Sequence, residues 1–266
     1  MFRRSNSTAA PRKAPASMSG TMRDAEDAAL QGDYDTALAI WSRFAHSGSS
    51  RAQAEIGRCF VAAQGVERNP ELACTWLTLS ARAGDPLGQR LLGDFYLNGE
   101  SGKPDRSIAE EWYARAAKQG DAYAQDMLSW LLSESDHRKP DYGQARKWAF
   151  AAAEQGSVPA MTRIGNFYHN ALGVERDPEA AAAWWRKAAL HDDADAQAML
   201  GAAYHLGSGV ARDAVRALLW LTRAKRARCT LADRFYAAAY DAATDDQRLE
   251  AERLADQPLT AGGDAP

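Results

Sequence analysis

The feature that most constrains this chain is a register. Trp76, Trp112, Trp148, Trp184 and Trp220 follow one another at intervals of 36 residues without a break. Ala73, Ala109, Ala145, Ala181 and Ala217 form a second series in that register, and Asn69, Asp105, Asp141, Asp177 and Asp213 a third. Gly57, Gly93, Gly165 and Gly201 share a fourth phase. Independent series at one interval define a repeat. A period of about 20 to 50 residues belongs to units that cannot bury their apolar faces alone and do so by stacking. The length of 266 residues therefore counts units rather than globular domains.

Each unit reads as two helices. In the first, Ile56, Leu92, Leu128, Ile164 and Leu200 are followed four places later by Phe60, Tyr96, Leu132, Tyr168 and Tyr204, a spacing that puts both on one helical face. That face is the predicted core. The glycine between them costs a helix about 1 kcal/mol relative to alanine, so it predicts a close approach by a neighbouring helix. The turns Gly65-Val66, Gly173-Val174 and Gly207-Ser208-Gly209-Val210 supply positive φ after a helix end. Asn69, Asp105, Asp141, Asp177 and Asp213 stand where an N-cap oxygen takes an orphan amide of the second helix, with Pro70 and Pro178 at the first helical position. In that helix the spacing of Ala109, Trp112 and Ala116, or Ala181, Trp184 and Ala188, predicts small residues at the helix contact and an indole filling the gap between repeats. Gly84, Gly120 and Gly156 close three units.

The units run over 50–85, 86–121, 122–157, 158–193 and 194–229. Before them, residues 21–49 carry Gly32-Asp33-Tyr34 and Ala37-Leu38-x-x-Trp41, which resemble the second helix of a tetratricopeptide repeat, and are expected to form an N-terminal capping pair. After them, residues 230–255 are expected to form two capping helices, the second started by Thr244. Residues 1–20, rich in Ser, Ala, Pro and basic side chains, are expected to be a disordered basic tail, and residues 256–266 a second disordered tail.

Lys and Arg total 32 against 35 Asp and Glu, for a formal charge of -3. This gives no bulk attraction to nucleic acid or an anionic membrane, and no nucleic-acid partner is expected. No apolar run reaches the ~18 residues of a membrane helix. The basic start lacks the apolar core of a secretory signal, so the cytoplasm is the expected location, with export by a route lacking a recognisable signal peptide as the alternative. Cys59, Cys74 and Cys229 have no metal-ligand spacing and read as reduced thiols. Neither a nucleophile elbow, nor a phosphate-binding loop with its lysine, nor a His-Glu-x-x-His pair is present, so neither catalysis nor a cofactor is expected.

Residues 194–210, Ala-Asp-Ala-Gln-Ala-Met-Leu-Gly-Ala-Ala-Tyr-His-Leu-Gly-Ser-Gly-Val, followed by Asp213, Ala217 and Trp220, resemble the Sel-one-like repeat (SLR), a relative of the tetratricopeptide repeat. The resemblance covers about 50 to 229. It implies an all-α, right-handed α/α superhelical solenoid serving as a non-catalytic protein-binding scaffold, of the kind bacteria use in signalling. A different role it implies is an exported or periplasmic regulator of envelope, exopolysaccharide or host interaction. The unit 122–157 departs from the pattern: Ser129 replaces the glycine, Leu132 the tyrosine, and Ser135-Asp136-His137-Arg138 the glycine turn.

With the leucine and tyrosine positions facing the core, the opposite side of the first helices carries Arg58, Arg90, Asp94, Asn98, Asp126, Trp130, Asn166, His169, Asn170 and His205, with Tyr123 one turn before Asp126. In tetratricopeptide-like arrays that side lines the concave groove, so the expected partner is a protein or extended peptide. Trp130 among polar neighbours reads as a peptide anchor, or as a side chain packed inward to replace the lost tyrosine. His169 and His205 occupy equivalent positions in adjacent repeats. They read as stacked polar groove residues, or as a metal or pH-sensing pair, for which no third ligand lies in phase.

Overall fold

The structure, a computed structural model, describes residues 20–100, 102–134 and 139–259. The described residues form fourteen α-helices and no strand. These are α1 (Met22–Leu30), α2 (Tyr34–His46), α3 (Ser50–Ala62), α4 (Pro70–Arg82), α5 (Pro86–Leu97), α6 (Arg106–Lys118) and α7 (Ala122–Ser133). There follow α8 (Tyr142–Glu154), α9 (Val158–His169), α10 (Pro178–Ala189), α11 (Ala194–Leu206), α12 (Ala214–Arg226), α13 (Thr230–Ala242) and α14 (Asp245–Ala255).

The chain divides into two compact units, Met1–Trp112 and Tyr113–Pro266. In the first, each helix from α1 to α5 packs on the next, and α3 also touches α5. In the second, successive helices from α7 to α13 pack in the same way, with α7 also on α9 and α11 on α13. Helices two apart thus meet within a layer while neighbours in sequence meet across layers, which is the packing of an α/α solenoid.

The cap series has the expected role. Asn69 accepts from Leu72 N at 2.9 Å, and Asp105, Asp141, Asp177 and Asp213 accept from the equivalent amides at 2.9, 3.0, 2.9 and 2.9 Å. The first helices are capped as well, by Ser49, Asp85, Asp121, Ser157 and Asp193. At the closing turns, Gly84, Gly120 and Gly156 have φ of 90, 90 and 89°. Asp192 and Arg228, in the same phase, adopt φ of 59 and 60° without a glycine.

Ile56, Leu92, Leu128, Ile164 and Leu200 are buried, as are Leu132 and Tyr204, while Phe60, Tyr96 and Tyr168 are half-buried. The residue that presses on the first-helix glycine stands 20 places later. A Cβ at Gly57 would lie 2.7 Å from Leu77, one at Gly201 2.7 Å from Leu221, and one at Gly165 would run into the Trp185 indole. The periodic tryptophans lie beside that contact. Trp220 is buried, whereas Trp184 is half-buried, edge-on to Phe150 at 5.4 Å with Lys187 Nζ 3.9 Å from its ring. It therefore bridges α8 and α10, as a filler between repeats should.

At the C-terminal end, α13 packs on α11 and α12, and α14 lies mainly on α12. Thr244 forms a capping box with Gln247. Arg226 bonds Glu252 at 2.6 Å and Asp256 at 2.9 Å, and Arg223 donates to the Gln257 carbonyl, so 256 and 257, within the tail expected to be disordered, contact α12. Residues 1–19, the turn 135–138 and residues 260–266, each the subject of an expectation above, lie outside the described residues.

Candidate functional site

The eleven sequence candidates are divided between the two compact units. Arg58, Arg90, Asp94 and Asn98 belong to the first unit. Arg58 pairs with the buried Glu55, Nη2 to Oε2 at 2.9 Å, and lines a cleft of about 240 Å³ with Leu30, Tyr34 and Trp41. Arg90 and Asp94 are half-buried on α5, and Asn98 is its exposed C-cap.

The second unit gathers several of the others. A cleft of about 450 Å³ runs along α9, which contributes Pro159, Thr162, Arg163, Asn166, Phe167 and Asn170. The end of α7 adds Trp130, Ser133 and Glu134; Tyr142 comes from the start of α8, Leu172 from the turn after α9, and Asp193 and Asp195 from the start of α11. This volume is within the range of small-ligand and side-chain sites, about 300 to 1,000 Å³. Three predicted residues, Trp130, Asn166 and Asn170, meet here.

Hydrogen bonds hold the floor. Trp185 Nε1 donates to Asn166 Oδ1 at 3.1 Å, and Asn170 Nδ2 donates to the Asn166 carbonyl at 3.0 Å. Asp126 is buried and takes an ion pair from Arg163 on the next first helix, so its role is to hold that arginine. Removing one partner of such a pair strands a charge out of water. Thr162 Oγ1 donates to Asp193 Oδ1 at 3.0 Å, and that oxygen also caps α11 through Ala196 N at 2.7 Å. Asp193 is thus a structural carboxylate at the cleft edge rather than an ordinary solvated one.

His169 packs its ring 5.2 Å from that of Trp185. Burial, and then the charge of Arg176, hold its pKa below the usual 6.5. Tyr123 is 47% exposed on α7 and His205 half-buried on α11; neither lines the cleft. Among the described residues no group of three His, Cys, Asp or Glu could hold a metal ion. The three cysteines form no disulfide, and burial pushes the Cys59 thiol up to about 11.

A larger recess of about 770 Å³ lies against α4, between Pro70, Cys74, Thr78, Leu79, Phe95 and Glu100. None of the candidates lines it; its polar groups are Glu71, Thr75, Thr78, Arg82 and Glu100, with no side-chain amide among them. The sequence reading missed Thr162, Arg163 and Phe167, although the helical steps from Asn170 through Asn166 and Arg163 to Pro159 mark one face of α9. Tyr142 starts α8 and Asp193 caps α11, other helices beyond the reach of a single-helix argument.

These features define the protein as an α/α-solenoid repeat protein whose first helices carry a polar-aromatic cleft. The Sel1 repeat profile matches five copies, at 50–85, 86–121, 122–157, 158–193 and 194–228, and the chain belongs to that family. Sel1 repeat proteins generally serve as protein-interaction scaffolds. An SLR-fold protective antigen of uropathogenic Escherichia coli strains superimposes with a TM-score of 0.82 at 29% identity, over 91% of this chain and 54% of its own. The chain thus spans about half the length of that relative. A Sel1 repeat protein from Oxalobacter formigenes gives 0.77 at 27% identity, over 90% of this chain and 98% of its own. No curated protein matches significantly. No described helix is long and apolar enough to cross a membrane.

Proposed function

We propose that the protein is a non-catalytic adaptor that holds a peptide segment of a partner protein in the α9 cleft. The observation that carries this is Trp130: half-buried, on the unit that departs from the repeat pattern, and lining a cleft in which Thr162, Arg163, Asn166 and Asn170 supply polar groups beside the apolar ones. Large aromatics surrounded by adaptable polar groups concentrate binding energy. Leu131 and Leu132 already fill the core beside it at 0% and 7% exposure, which favours the anchor reading over inward packing.

Peptide display against the full chain tests this. Enriched peptides should lose binding to Trp130→Ala and Asn170→Ala and keep it with Leu79→Ala, which changes the α4 recess. Enrichment indifferent to Trp130 would overturn the assignment. The proposed compartment is the cytoplasm, and the proposed pathway bacterial signalling or regulation. Recovery of the protein in a periplasmic or secreted fraction would instead favour the envelope or host-contact role, to which the antigen from Escherichia coli lends support.

A further inference from the structure

We infer that the α9 cleft selects a peptide segment in which an apolar side chain is flanked by basic ones. This rests on the peptide-binding reading above and names the chemistry of the partner.

The apolar part follows from the walls. Trp130, Tyr142, Phe167 and Leu172 come from four different segments and converge on one space, where a single aliphatic or aromatic side chain would be desolvated.

The basic part follows from the ionic balance. Among the described residues that line the cleft the one cation is Arg163, and Asp126 already holds it. Its three other ionisable carboxylates are Glu134, Asp193 and Asp195. Asp193 commits Oδ1 to Thr162 and the α11 cap, and Asp195 Oδ1 takes the Cys229 thiol at 3.1 Å. These donors are neutral, so they leave the negative charges of Asp193 and Asp195 in place.

Placement turns this balance into a pattern. Asp193 is tied to Thr162 in the first part of α9, whereas Glu134 stands 36 residues before Asn170, the C-cap of α9. Carboxylates therefore flank the cleft at its two ends, with the indole between. An acidic segment would meet like charge at both ends, whereas a basic one would form ion pairs partly shielded from water.

Fluorescence anisotropy on the full chain tests this with three labelled peptides, Gly-Ser-Arg-Leu-Arg-Ser-Gly and its Gln-Leu-Gln and Glu-Leu-Glu counterparts. The arginine peptide should bind at least about tenfold tighter than the glutamine one, the glutamate peptide weakest, and 0.5 M NaCl should erase the difference. The double variant Glu134→Lys/Asp195→Lys, whose helicity and melting are checked alongside, should lose or reverse the preference. Trp130→Ala should weaken the arginine and glutamine peptides alike. Equal, Trp130-dependent binding of all three would overturn the charge selection and leave the cleft assignment standing. An arginine preference that survives the double variant would also overturn it. Binding of none, or binding indifferent to both Trp130 and the carboxylates, would overturn both.

Discussion

Gln197 donates its side-chain amide to the carbonyl of Ala189, 3.2 Å away and eight residues earlier, tying the first turn of α11 to the last of α10. Gln53, Gln89 and Gln125 make the same bond to Ala45, Ala81 and Ala117 at 3.4, 3.3 and 3.2 Å. A repeat stacks in a fixed register partly because this amide reads the end of the preceding helix. Gln197 is 2% exposed, so Gln197→Leu should cost about 1–2 kcal/mol, measured by chemical denaturation. The fourth repeat has Met161 at this position. Met161→Gln should stabilise by about 0.5–1 kcal/mol through a new bond to the Ala153 carbonyl.

Two alanines hold a conformation that suits glycine. Ala63, the C-cap of α3, and Ala171, after α9, have φ of 55 and 56°, where Gly99 and Gly207 stand in the same phase at 73 and 71°. An L-residue in the left-handed region costs about 1–2 kcal/mol, and glycine's extra freedom in the unfolded chain costs about 0.5–1 kcal/mol. Ala63→Gly and Ala171→Gly should therefore each stabilise by about 0.5–1 kcal/mol, seen as a higher denaturation midpoint.

Gly165 is the close-approach point of the fourth repeat. Gly165→Ala would drive a methyl into the Trp185 indole and should destabilise by about 1–3 kcal/mol. Trp185→Ala, at a position 2% exposed, should cost about 3–5 kcal/mol and release the Asn166 side chain that the indole holds. Near-ultraviolet circular dichroism and denaturation report both.

The fold was legible because each structural duty recurs in one phase, the caps and core leucines in all five units and the close-packed glycine in four. The caps, core leucines and close-packed glycines could all be read from spacing. What pressed on those glycines was not. In the pair Trp184-Trp185 the periodic member bridges α8 and α10, while its neighbour fills the glycine contact that Leu77 and Leu221 fill elsewhere. Two adjacent indoles carry no local sign of which faces inward. The cleft was half legible: Trp130, Asn166 and Asn170 follow from one helical face. The Asp126–Arg163 pair, 37 residues apart, and the Thr162–Asp193 bond depend on how one repeat seats on the next, which periodicity leaves open.

His169 gives the second unit a pH dependence. Its folded-state pKa lies below 6.5, first because it is partly buried and second because of Arg176, so the unfolded chain binds its proton more readily. The resulting stability is fully present above 6.5 and declines as pH falls through 6.5 toward the folded value. Denaturation midpoints should therefore drop between pH 7.5 and 5.5, by less in His169→Gln. An equal drop in both proteins would mean that other groups govern this range.

The central claim is that the α9 cleft is where a partner binds, with Trp130 as its anchor. The most direct measurement is the affinity of a display-selected peptide for the wild type, Trp130→Ala and Leu79→Ala by titration calorimetry, with melting temperatures taken in parallel. The account predicts at least about a tenfold loss for Trp130→Ala, equivalent to about 1.4 kcal/mol, with melting and the Leu79→Ala affinity unchanged. Affinity unaltered by Trp130→Ala, or lost only with Leu79→Ala, would place the partner elsewhere and contradict it.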